Sequence, residues 1–364
     1  MIFDAFARRL RGRSSWRREQ EHVAQLVVER PQDTLDFAAV LDLELERRGF
    51  DAAVHAVRSS LLDLVCSLVH DDATHLAARL AARPAPALPE GPGPSVHRSQ
   101  GAMQIAATRP AAQIWQLLTG PDGLREHDPE FAAFLLHELV VRDEPVPPSA
   151  GWCAQWARDS GHPLAWLPPE LLAIEAGLPG WLPRYPRAVG ARAIGAPGTI
   201  IRERVPLGDI VNGLGAALPV DRDRISATFA EWVSDSNVRL DVRGYAPGTT
   251  FPYGPAPCLT RALPVSRIAP AGALEALFST AVASGAYSTG PGGSLARLRS
   301  WQAVSGVVGS RWPVPIDELA AAAARTHWIK AAPEDPWFEG VAWDVWLIGA
   351  TSERIVVIAA TDTD

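Results

Sequence analysis

Lysine is almost missing from this 364-residue chain: of 34 lysine and arginine residues, Lys330 is the one lysine. Methionine, with two residues, and cysteine, with three, are nearly as sparse. Cys66, Cys153 and Cys258 stand far apart and make no CxxC or Cys/His spacing of a zinc site, so reduced, buried thiols and no metal are expected. No stretch approaches the ~18 consecutive apolar residues that span a bilayer, which argues against a membrane span. The opening segment MIFDAFARRLRGRSSWRREQ is charged but lacks a following apolar core, and Arg8-Arg9 lacks the rest of a twin-arginine leader, so the expected compartment is the cytoplasm.

What is present looks globular. The hydrophobic fraction is 47% and the charged fraction 21%, near the averages for folded domains, and the length suits two cores. A net charge of −7 makes nucleic acid an unlikely partner, since the surface as a whole is not basic. The basic residues concentrate locally: Arg8, Arg9, Arg11, Arg13, Arg17 and Arg18 flank Phe3, Phe6 and Leu10 at helical spacing. A solvated helix with a docked apolar edge is the expectation; an arm for anionic membrane or phosphate is the alternative.

The first half reads as helices. Phe37, Val40, Leu41 and Leu45 recur on one helical face, followed by Arg47, Arg48 and the stop residue Gly49. Asp51 caps a second helix through Val54, Val57, Leu61 and Val65, and Asp72 a third through Leu76 and Leu80. Residues 83–96, ARPAPALPEGPGPS, form a linker or long loop. Further helices are expected over 110–118, 128–141 with Asp128 as N-cap, 152–158 and 169–176.

Near residue 180 the text changes, and the domain division is placed there: a helical-hairpin region over 1–180 and a mixed domain over 181–364. Val238, Leu240 and Val242 alternate with Arg239, Asp241 and Arg243 as in a half-buried strand. Asp221 caps a short helix, and helices follow over 271–283, from Ser294 through Val304, and over 316–326. Residues 341–348 and 354–361 then form a hairpin. The fold class is therefore α+β, predominantly helical, with a small antiparallel sheet that ends in a β-hairpin.

The stretches ASGAYSTGPGGSLARLRSWQAV at 283–304, DPWFEGVAWDVWL at 335–347 and RIVVIAATDTD at 354–364 resemble a family of unknown function from GC-rich soil bacteria, most clearly over 283–364. The resemblance implies a shared construction of helix, glycine-rich loop, helix and terminal hairpin. It implies no activity and no catalytic residue.

The best candidate for a ligand site is the loop of 285–293 with the helix it opens. Gly285, Gly290 and Gly292 permit close backbone approach beside Tyr287, Ser294 starts a helix with free N–H groups, and Arg297 and Arg299 suit a phosphate or carboxylate. It is not a P-loop, because Pro291 stands where the lysine must be. Asp344, between two tryptophans in a strand, is the candidate catalytic carboxylate, and Asp362 and Asp364 are either its partners for a cation or a frayed acidic tail. His70, Asp71, Asp72 and His75 invite a metal reading, but they straddle a helix start where Asp72 serves better as a cap. His137-Glu138 opens like a zincin, but Val141 occupies the position of the second histidine. Trp152, Trp156, Trp166 and Trp181 crowd near Tyr185, Arg184 and Arg187, as core or as interface.

No cofactor is implied. A binding or accessory protein with a protein partner is the first expectation, and an enzyme acting on an anionic small molecule through Asp344, Arg297 and Arg299 is the second.

Overall fold

The computed structural model describes residues 2–11, 17–68, 72–83, 94–120, 123–182, 214–235, 237–247, 265–283, 290–331, 337–338 and 343–362. They divide into two compact units. One holds the described residues up to Leu139 together with Glu144–Asp159; the other holds Val140–Asp143, Ser160–Leu182 and the described residues from Leu214 onward.

The first unit is helical. Helix α1 (Ile2–Leu10) lays Phe3 and Phe6 on Phe37 of α3 (Thr34–Arg48), with ring centroids 5.2 and 5.5 Å apart, and buries Ala7 and Leu10. Its apolar edge is docked, as expected. Between them runs α2 (Arg17–Glu29). Gly49 ends α3 with φ +77°, the positive value its position demanded, and the chain reverses into α4 (Ala52–Ser67), whose first N–H groups at Ala53 and Val54 both bond to Asp51 Oδ1 at 3.1 Å. Val54, Val57, Leu61 and Val65 are buried. At the other end of α4, Arg109 donates to the carbonyls of Val65 and Leu68 at 2.8 and 2.7 Å.

Helix α5 (Asp72–Ala82) begins on Asp72 itself, so Asp72 is a first-turn acid and not the residue before the helix. The Pro-rich segment is followed by α6 (Pro94–Thr108), which hydropathy had not revealed because Gly101 interrupts it. Gly101 is there for contact: a Cβ would stand 2.7 Å from Ala81 Cβ of α5. Helices α7 (Ala111–Thr119), α8 (Pro129–Val141) and α9 (Gly151–Asp159) follow, α8 capped by Asp128, whose Oδ1 accepts from Phe131 N at 2.9 Å.

The second unit is built on one six-stranded sheet. In chain order its elements are β1 (Leu214–Leu218), α10 (Arg222–Ser226), α11 (Ala230–Asp235), β2 (Arg239–Pro247), β3 (Val265–Ile268), α12 (Pro270–Val282), α13 (Gly293–Val308), α14 (Ile316–Arg325), β4 (His327–Ala331), β5 (Trp343–Ala350) and β6 (Ile355–Asp362). The order across the sheet is β1-β2-β6-β5-β4-β3, antiparallel throughout. The expected terminal hairpin is its centre. Thr351 closes the turn: its N–H bonds to Arg354 O at 2.9 Å, and its Oγ1 accepts from the N–H of Glu353 and Arg354.

The helices α12 and α13 pack on each other, and α13 lies against β5. A Cβ at Gly349 would collide with Val307 Cγ1 of α13 and stand 2.9 Å from Trp328 Cζ3 of β4, so glycine sets the depth of that packing. Trp328 in turn donates its Nε1–H to Ala323 O of α14 at 3.0 Å.

Candidate functional site

Of the loop candidates, Gly285 and Tyr287 lie outside the described residues. Gly290 and Gly292 are buried at the start of α13. Gly292, with φ +88°, is the N-cap, and Ser294 is one residue inside the helix and fully buried, so the expected cap moves two places upstream. The left-handed φ is the reason: a serine there would carry a strained backbone.

Arg297 is wholly inside protein. Its guanidinium makes a two-pronged pair with Glu175, Nε to Oε1 and Nη2 to Oε2, both at 2.7 Å, and donates to the carbonyls of Pro168 and Glu170 at 3.0 and 2.8 Å. Glu175 also accepts from Trp301 Nε1 at 2.7 Å and from Leu172 N at 2.8 Å. Both ionic side chains are 0% exposed. The charges are thus neutralised and their oxygens and N–H groups occupied, which is the condition for burying an ion pair. An anion reaching Arg297 would have to displace Glu175. Arg297 and Trp301, one turn apart on α13, are thereby tied to the segment of 168–175. Arg299 is likewise engaged, ion-paired with Glu231.

Asp344 stands elsewhere. The register of β5 with β6 is unbroken from Trp343↔Asp362 to Ala350↔Ile355, so side chains alternate strictly. Gly349 faces α13; Asp344, Trp346 and Ile348 therefore face the other way. The sheet separates Asp344 from the helix that bears Arg297 and Arg299, and the structure does not bring these candidates together.

The same parity puts Asp362 on the α13 side, opposite Asp344. Asp362 is buried in β6, not frayed, and the two carboxylates make no cluster; Asp364 lies outside the described residues. On its own face Asp344 is half-buried, and its Oδ1 accepts from Thr361 Oγ1 at 2.5 Å.

Other candidates resolve in structural terms. Cys66 and Cys153 are buried, and burial pushes the Cys153 thiol up to about 12, which leaves that residue no thiolate for nucleophilic chemistry. Cys258, His70, Asp71, Arg184, Tyr185 and Arg187 lie outside the described residues. His137 and Glu138 are buried on α8. Trp152 bonds to Leu118 O at 2.8 Å, while Trp166 is exposed. Among the described residues no three His, Cys, Asp or Glu side chains group to hold a metal, and no helix is long and apolar enough to cross a membrane.

Sequence reasoning passed over Glu175 and Lys330. Glu175 is separated from Arg297 by 122 residues, and the one available signal was an arginine on a helix with no polar face. Lys330, half-buried on β4 between Ser266 and Leu347, has its amine pushed below the usual lysine range by desolvation.

The sequence matches a family described as a family of unknown function over residues 19–364, nearly the whole chain. It belongs to the DUF6183 family. The likeness first seen over 283–364 therefore extends through the helical unit of this DUF6183 member as well. No curated protein and no solved structure matches it.

Proposed function

We propose that this DUF6183 protein is a binding or accessory protein of the cytoplasm that docks a protein partner on its helical unit. The observation that carries the reading is the open end of α3. Leu43 and Phe50 are 37% and 54% exposed there, and Arg47, one turn from Leu43, is exposed with them. Arg8 and Arg9 of α1 are exposed, and Arg11 reaches across to Gly49 O at 2.9 Å and shares Glu44 with Arg48. Exposed apolar anchors ringed by arginine have the composition of an interface core, and an acidic partner surface complements them. The buried, reduced thiols suit the cytoplasm.

The enzyme reading is weaker, because an anion site made of Asp344 and Arg297 would need residues from both sides of the sheet. The test is capture of partners in the native cell by chemical crosslinking, comparing wild type with Phe50→Ser/Arg47→Glu. A discrete partner should be lost, with affinity down at least about tenfold, while the melting temperature holds. Identical capture by both proteins overturns the proposal.

A further inference from the structure

Phe50, the exposed residue at the open end of α3, stands one residue before Asp51, the N-cap of α4. Its ring lies on that of His55, with centroids 5.6 Å apart and planes at 57°. Counted from the cap, Phe50 is at N′ and His55 at N4. Those are the two positions of a hydrophobic staple, the contact that fixes the angle at which a chain enters a helix. Here one arm of the staple can take a proton.

The surroundings of His55 favour the neutral ring. It is half-buried, and desolvation holds it below the ordinary histidine pKa of 6.5; His97 of α6 and Arg58 of α4 lower it further. No carboxylate among the described residues pairs with it. Asp42 of α3 is taken by Arg58, and Glu46 and Arg83 stand beside Asp42. The helices α1, α2 and α5 also pack on α4, and among the described residues none of their acids or bases acts on His55. In addition, the imidazole lies in the first turn of α4, where the dipole of the helix opposes a cation. A cation resting on the Phe50 ring recovers little at so exposed a place, whereas water receives it freely. The charged side chain therefore leaves for solvent and the staple opens. Arg11 Nη2, donating to Gly49 O at 2.9 Å, tethers the backbone while the two rings part.

We propose that Phe50 is a pH-gated anchor: neutral His55 holds its ring in place for the partner, and protonated His55 releases it, so that docking weakens in mild acid. The proposal rests on the docking surface described above and adds its regulation. Release returns His55 to water, where it binds a proton more readily, so the proton favours the open staple.

The test places para-fluorophenylalanine at position 50 of the full chain and follows its fluorine signal by NMR from pH 8 to pH 5. The signal should move with a midpoint below 6.5 while circular dichroism stays constant, and His97→Gln should raise that midpoint. His55→Leu, an apolar staple, should hold the signal at its high-pH position throughout; if leucine does not fold there, His55→Gln should abolish the titration in its place. A flat signal in wild type, the same titration in the His55 variant, or a midpoint that coincides with global unfolding overturns the gate. Partner captured at pH 7.5 should elute from wild type at pH 6.0 and stay on His55→Leu; retention on wild type at pH 6.0 also overturns it. The fluorine signal needs no partner, which separates the two failures. A flat signal with capture still lost in Phe50→Ser/Arg47→Glu sinks the gate and keeps the docking surface, whereas a titrating signal with capture unchanged in that variant sinks the docking surface and the gate's role in it.

Discussion

Each unit contains a buried arginine, and the two are solved differently. In the helical unit, Arg58 of α4 is 4% exposed and pairs with Asp42 of α3 at 2.7 Å, with a further bond to Arg83 O at 2.6 Å; Asp42 keeps 15% of its side chain in water. Burial there outweighs the arginine, and the Asp42 carboxyl lies above the usual aspartate range. In the mixed unit, Arg297 and Glu175 keep no water at all, and each oxygen of Glu175 has two donors. A pair at a rim can rehydrate or take a proton when its partner is removed. A pair in a core cannot.

Breaking the core pair should therefore have the largest effect. Glu175→Gln removes the carboxylate that Arg297 pairs with in the core and should cost about 3–5 kcal/mol, read as a lower denaturation midpoint or as insoluble protein. Arg58→Met should cost less, about 1–2 kcal/mol, because Asp42 can hydrate or protonate; equal losses in the two variants would erase the distinction between rim and core.

The smallest effect is set by acid. His55 of α4 and His97 of α6 both lie below the ordinary histidine pKa of 6.5: desolvation lowers each, and for His55 the neighbouring His97 and Arg58 add to it. The unfolded chain binds these protons more readily than the folded one, so stability is whole above pH 6.5 and declines as the pH falls below it. Nearby, Asp42 already belongs to Arg58, and Glu46 and Arg83 stand beside Asp42. Denaturant midpoints at pH 7.5 and pH 5.5 should differ in wild type and differ less in His55→Gln/His97→Gln; an unchanged pH dependence in that variant rejects the assignment.

The sequence disclosed elements whose signals are local. Asp51 and Asp128 cap the helices their spacing marked, and the β5–β6 alternation was readable because each strand is framed by turn residues. Strand β4, HWIKA, follows closely on α14 and carries no strand signal of its own length, and β1, LGAAL, has the composition of a helix; both exist because neighbouring strands recruit them. At the candidate sites the failure was one of distance. Arg297 reads as an anion ligand until Glu175 arrives from far along the chain. Asp344 reads as awkward beside Trp346, but only the strand register shows which side of the sheet it shares and with whom.

The position of β6 has a consequence for how the sheet is closed. It lies between β2 and β5, hydrogen-bonded to both, yet it is the last of the six strands in chain order. Without it, β1 with β2 and β3 with β4 and β5 are two partial sheets, each with an inner edge of unpaired N–H and C=O groups. The inner edges of β2 and β5 therefore stay open to pairing with another chain until β6 is in place, and β6 is the strand whose insertion closes the sheet.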